Sequence, residues 1–342
     1  VNQNASATVR AVLLPAALGA ALALIAAASL VMGFVSIPAG DALGIALGLP
    51  GTEAGPQIRA IVMDIRLPRI LTSAGAGFGL GVAGAVFQGV LLNPLADPFT
   101  LGVSSGAAFG AALCLVLGLA FLGPATLPVF AFAGASLTLL AVLFIARGDS
   151  SRSPATLVLA GIITASILSA GLSFLKYLAD ERVSAIIFWL MGSFAGAGWD
   201  RAAMVWGAGI AGLLWCLWFA RDLNVMSLGG RSASSLGVNP GRVRLALLCG
   251  ASLVSAICVA SAGIIGFVGL VVPHLIRLVS GPDNRVLLPA SGLAGAVLLL
   301  AADTLTRAVL PHEVPIGVLT ALIGGPVFCW LFRQRHAGGV HD

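Results

Sequence analysis

"DIRLPRILTSAGAGFGLGVAGAVFQGVLLNPLADP", Asp64 to Pro98, decides what kind of chain this is. Arg66 and Arg69 bracket Pro68 at the mouth of a glycine-rich apolar run, which ends where Pro94 and Pro98 flank Asp97. From Ile70 to Leu92 no residue carries a formal charge. That is enough to cross a bilayer, which takes ~20 apolar residues per helix. The rest of the chain has the same character: 59% of its 342 residues are apolar and 9% charged, with a mean hydropathy of +1.06. Soluble domains carry about 25% charged residues. The sequence is that of a polytopic membrane protein.

Apolar runs bounded by charge, Pro or Gly predict an all-α membrane domain of about ten spans, some short or broken, filling residues 1–342 as one unit. The expected helices are 11–36, 70–92, 100–120, 125–146, 156–178, 202–220, 243–262, a short 267–280, 286–309 and 315–332. The first exceeds the ~7–15 residues of a signal-peptide core, which predicts an uncleaved helix. Val183 to Phe194 is an amphipathic piece too short to span. An even count puts both termini on one side. With that side inside, eleven Lys and Arg fall in inner segments and seven in outer ones, the direction of the positive-inside rule. Arg66, Arg69 and Arg307 then lie outside, against the trend, and ask for a partner of opposite sign.

Gly75–Gly79 and Gly77–Gly81 make two GxxxG faces, which let a neighbouring backbone approach closely. Packing within one subunit is expected over a dimer contact. Gly84 to Pro94 and Gly263 to Pro273 share a ten-residue spacing, a weak sign of an internal repeat of broken helices.

Little in the sequence suits bond-breaking chemistry. The sole lysine, Lys176, lacks the glycines of a phosphate-binding loop, so any ATP is expected to be hydrolysed by a partner. His274, His312, His336 and His341 have no carboxylate or cysteine at ligand spacing, and the five cysteines lie in apolar runs without CxxC spacing. No metal site, cofactor or enzymatic activity is expected. Asp303 is the one acid well inside a span; Arg307 follows at the spacing of an intrahelical ion pair. A structural pair is the first expectation for Asp303, and a proton relay in a secondary carrier the alternative. The longest polar inner segment, Arg221 to Arg244, predicts a short helical element at Ser232–Leu236 that docks a cytosolic partner.

"RLPRILTSAGAGFGLGVAGAVFQGVLLNPLADPFTLGVSSGA", "LAGIITASILSAGLSFL", "FWLMGSFAG", "SLGV", "GFVGLVVPHLIRL", "ADTLTR" and "PIGVLTALIGGPVFCWL", in that order, resemble the FecCD-type permeases. These are membrane subunits of bacterial ABC importers for ferric siderophores, haem and cobalamin. The resemblance implies a ten-helix inner-membrane subunit working as two copies, with two cytosolic ATPase subunits and a periplasmic or lipid-anchored binding protein. It implies that Arg66, Arg69 and Arg307 meet glutamates of the binding protein. It also implies cytoplasmic gates at Asn93, Pro94 and Leu95 and at Ser153, Pro154, Ala155 and Thr156. The ATPase is then expected to couple through Arg231, Ser232, Ser234, Ser235, Leu236 and Gly237. The transport path is expected to pass Thr164, Ser166, Ser169 and Ser173, with a ferric complex as the expected ligand.

Overall fold

The computed structural model describes residues 2–33, 35–49, 55–149, 153–308 and 313–337. Arg152, His312 and His341 lie outside them. The described residues form helices and no strands. In chain order these are α1 (Asn2–Val31), α2 (Ala39–Ala46), α3 (Pro56–Val90), α4 (Val103–Leu117), α5 (Thr126–Ile145), α6 (Pro154–Leu178) and α7 (Val183–Leu190). There follow α8 (Trp199–Trp218), α9 (Ala220–Met226), α10 (Gly230–Ser235), α11 (Pro240–Ala262), α12 (Val268–Ser280), α13 (Asn284–Ala308) and α14 (Ile316–Ala337). Seven are long and apolar enough to span a membrane; α4, α12 and α14 are shorter apolar helices. The ten together fit the expected number of spans, and α7 is the short amphipathic piece between the fifth and sixth.

The opening stretch forms the centre of the bundle. Some 94% of the apolar window of α3 is buried inside the protein, with α8, α11, α12 and α13 packed around it. Its glycines make this possible. A Cβ on Gly77, Gly81 or Gly84 would overlap backbone atoms of Gly295, Ser291 or Gly269 respectively. Those three positions share one helical face, so α12 and α13 lie backbone to backbone against α3. Gly75 and Gly79 take Val205 and Trp206 of α8 and Val254 and Cys258 of α11 on another face. The small-residue faces pack within the subunit.

The expected start of this helix is corrected. It begins at Pro56 rather than near residue 70, because a π-helical segment, Ile61–Arg66, carries it through the charged residues into Pro68. Proline lacks the N–H that continues an α-helix, and a wider turn just before it accommodates the ring. Gly84 lies within α3, which runs unbroken to Val90 as expected, whereas Gly263 (φ +76°) ends α11. The two Gly-to-Pro segments therefore fold differently. After α3, Asn93 Oδ1 accepts from the Leu95 N–H (2.9 Å). Asp97 and Thr100 then form a reciprocal capping box around Pro98. Burial raises the Asp97 carboxyl above its ordinary range, opposed by the hydrogen bonds from Thr100.

Candidate functional site

Three arginines, two acids and the end of α1 meet at one rim of the bundle. Asp303, 1% exposed, lies between two guanidiniums. Arg69 donates from Nε (3.1 Å) and NH2 (2.9 Å) to Oδ1, while Arg307 Nε sits 3.4 Å from Oδ2. Arg69 NH1 also bonds Glu313 Oε1 at 3.0 Å. The other two arginines turn inward. Arg66 donates to the carbonyls of Leu30, Val31 and Val35, and Arg307 to the Ser29 carbonyl (3.0 Å), the Ser29 hydroxyl and the Met32 carbonyl (3.2 Å). The last carbonyls of a helix have no partners of their own, and at the edge of a bilayer an arginine fork is well suited to supply donors. Of the three arginines expected at the outer rim, two therefore hold the end of α1. Arg66 and Arg307 are 4% and 5% exposed and clamp α1 to α3 and α13. Arg69 is more open, with its side chain 12% exposed. The expected Asp303–Arg307 pair is present, with Arg69 as a further partner. Doubly paired and buried, Asp303 is not a free carboxylate for a proton relay.

Sequence reasoning missed Ser29 and Glu313. Only Glu313 left a signal, as a lone acid between two apolar runs.

At the opposite end, the polar segment after α8 folds into α9 and α10. Asn224 of α9 accepts from Asn284 N (2.9 Å) and Nδ2 (2.7 Å) and donates to Asp283 Oδ1 (2.7 Å), pinning α9 to the start of α13. α10 spans Gly230–Ser235, starting two residues and ending one residue before the expected Ser232–Leu236, and is followed by Gly237 (φ +83°). Ala233 is its one buried residue. Arg231, Ser232, Ser234, Ser235 and Leu236 are exposed, Leu236 at 63%. Ser153 caps α6, accepting from Thr156 N at 3.3 Å, with Pro154 in the first turn. Asn93, Pro94 and Leu95 form the turn after α3. Asn93 and Pro94 line a cavity of about 610 Å³ together with Gln88, His274 and Arg277.

Of the proposed path residues on α6, Ser166, Ser169 and Ser173 share one exposed face, while Thr164 is half-buried on the other side of the helix. Thr164 Oγ1 donates to Ala160 O (2.8 Å), Ser166 Oγ to Ile162 O (2.8 Å) and Ser173 Oγ to Ser169 O (3.0 Å). Hydroxyls returned to their own helix in this way present a smooth, weakly polar surface. Ser166, Ser169 and Ser173 are exposed, beside Ile162, Ile167 and Phe174. Beyond α7, three chain segments are knitted by backbone bonds: Ser193 N to Ala262 O (2.8 Å), Ile316 N to Gly192 O (3.2 Å) and Gly317 N to Met191 O (3.0 Å).

A bundle of apolar helices around a glycine-packed centre, with polar helices presented at one end, suits a membrane permease. The FecCD transport family model matches residues 21–334, and the chain belongs to that family. It is 42% identical over 299 residues to the cobalamin import system permease protein BtuC of Halobacterium salinarum, covering 86% of this chain and 79% of that one. It is 41% identical over 300 residues to the hemin transport system permease protein HmuU of Yersinia pestis, covering 83% and 86%. A solved metal-chelate type ABC transporter in an inward-facing conformation is 34% identical, with a TM-score of 0.81 over 94% of this chain and 98% of that one.

Proposed function

We propose that this chain, as a single permease domain, carries a metal-chelate ligand across the bacterial inner membrane. Two copies work with two cytosolic ATPase subunits and a periplasmic or lipid-anchored binding protein, and both termini face the cytoplasm. The observation that carries this is the likeness to a metal-chelate transporter along almost the whole chain. Relatives that import haem and cobalamin support the ligand class without choosing within it; a ferric complex is our assignment. Calorimetry on the cognate binding protein with ferric hydroxamate, haem and cobalamin tests it. A binding protein that takes none of these would overturn the ligand class.

In this scheme α10 seats in the ATPase, the turns at Asn93–Leu95 and Ser153–Thr156 are the inner gates, and the exposed hydroxyl face of α6 lines the path. Leu236→Asp is expected to abolish binding-protein-stimulated ATP hydrolysis in the reconstituted complex without loss of folded permease. Normal stimulation would rule out α10 as the docking element. Docking of the binding protein falls mainly to Arg69, the most open of the three rim arginines. Arg69→Gln is expected to weaken docking roughly 2–5-fold, in keeping with the ~0.5–1 kcal/mol of a rim ion pair, and to flatten its salt dependence. Unchanged affinity and salt slope would make the cluster an internal clamp alone.

A further inference from the structure

Helix bundles close-pack, and here the close packing stops at the inner end of the central helix. Gln88, in the last turn of α3, donates from Nε2 to the Leu270 carbonyl of α12 (2.9 Å). One residue on, Leu223 of α9 lies so near Gly89 that a Cβ there would sit 3.1 Å from its methyl carbons. That turn is therefore held from two sides. From Leu92 the chain is open: Leu92 and Leu95 are exposed, Asn93 and Pro94 half-buried. Leu92 has a left-handed backbone (φ +50°), a conformation disfavoured for a bulky L-residue. It stands at the helix-cap position usually given to glycine, with Asn93 N bonded back to the Gln88 carbonyl (3.2 Å). Asn93 accepts within its own turn, from Leu95 N at Oδ1 and from Ala96 N (3.1 Å) at its carbonyl. Anchorage returns at Ala96, which is fully buried, and at the capping box of Asp97 and Thr100. Thr100 and Leu101 in turn pack on Gly161 of α6. Behind the open turn lies the cavity of about 610 Å³, with Ser227 of α9, Leu278 of α12 and Asn284 of α13 in its far walls. α6 contributes no residue to those walls.

We propose that this cavity is the space into which residues 92–95 retract when the inner gate moves, with Leu92 as the hinge. The proposal rests on the reading of Asn93–Leu95 as a gate. A segment that moves as a unit needs fixed ends, and Gln88 with Gly89 on one side and Ala96 with Asp97 on the other provide them. It needs a residue that can change backbone state, and such hinges sit at the ends of elements. A left-handed leucine has an ordinary conformation to relax into, so two positions of the turn can lie close in energy. It also needs room. The volume behind Pro94 supplies it without unpacking α3 from α12 or α13. Pro94 itself has no N–H to tie the turn down. Retraction towards α9, α12 and α13 takes the turn away from α6 and widens the inner end of the path.

The test uses the full transporter in proteoliposomes and needs no ligand. Pro94→Cys and Ser227→Cys place thiols on two walls of the cavity, in a background without the native cysteines. Oxidation by copper phenanthroline is followed without nucleotide and after vanadate trapping with ATP. Disulfide formation is expected to differ about fivefold or more between the two states. Leu228 is exposed and does not line the cavity, so Leu228→Cys should pair with Pro94→Cys at rates within roughly twofold of each other. Equal rates for the Pro94→Cys and Ser227→Cys pair, in complexes that trap nucleotide, would overturn the proposal. A second arm fills the space. Ser227→Trp should hold the nucleotide-dependent change in maleimide labelling of a Leu95→Cys probe below about twofold, while Leu228→Trp leaves it at about fivefold. If the cysteine pair does not assemble, this arm decides: a full labelling change in assembled Ser227→Trp rejects the cavity as the retraction space. Failure of the gate reading is separately visible in Ala155→Cys at the other gate. A static disulfide pair beside Ala155→Cys labelling that follows nucleotide rejects the cavity alone, whereas two static probes reject the gate scheme as well.

Discussion

Asp303→Ala is expected to destabilise the permease more than any other single change at the charged rim. The carboxylate is all but inaccessible and is shared by Arg69 and Arg307. Removing one partner of a buried ion pair leaves the remaining charge without compensation, which costs about 3–5 kcal/mol. Here two guanidiniums lose their common acceptor, and Arg307 is also the residue that holds the Ser29 and Met32 carbonyls at the end of α1. The damage should therefore spread to the α1–α13 contact. In detergent, the unfolding temperature should fall on the order of 5–10 °C. Glu313→Ala provides the comparison. Its side chain is 36% exposed and pairs with the same Arg69. Solvent screens it, so its loss should cost less than about 1 kcal/mol. Equal shifts for the two variants would mean that Asp303 is not the keystone of the cluster.

The cluster marks where the sequence was legible and where it was not. The apolar runs were plain because a bilayer demands ~20 apolar residues per span whatever the tertiary structure, and α6, α11 and α13 lie close to where composition puts them. The Asp303–Arg307 pair was also legible, being local to one helix. What Arg66 does was not, because its acceptors lie more than thirty residues away at the end of another helix. Charge against the positive-inside trend did ask for a partner. It did not say that backbone carbonyls of α1 would be much of the answer. The π-helical entry into Pro68 was hidden for a different reason: a proline reads as a helix start unless something upstream lets the helix pass through it. At the opposite end, the two hydrogen bonds that tie the first turn of α6 to Asp149 leave no mark in the sequence pattern.

Gly84→Ala reverses the usual sign of its substitution. In a helix interior, alanine is favoured over glycine by about 0.8–1.0 kcal/mol. At Gly84 the added methyl would overlap the carbonyl group and Cα of Gly269, which are backbone and have no rotamer to yield. Overpacking typically costs ~1–3 kcal/mol even where side chains can move. Against fixed backbone the upper end is expected, and Gly84→Leu should prevent α12 from seating at all. The neighbouring contacts leave little room for escape. Sliding α3 to relieve Gly84 would drive Gly81 and Gly77 into Ser291 and Gly295 of α13. Gln88 would at the same time lose its bond from Nε2 to the Leu270 carbonyl (2.9 Å). Gly207 of α8, with nothing near the added carbon, is the matched control; there alanine should be neutral or slightly stabilising. The measurement is the unfolding temperature of the two variants in one detergent, with yield of folded protein for Gly84→Leu. If Gly84→Ala tracks Gly207→Ala, the close approach of α3 and α12 is not required. The glycine faces of the central helix would then reflect composition rather than contact.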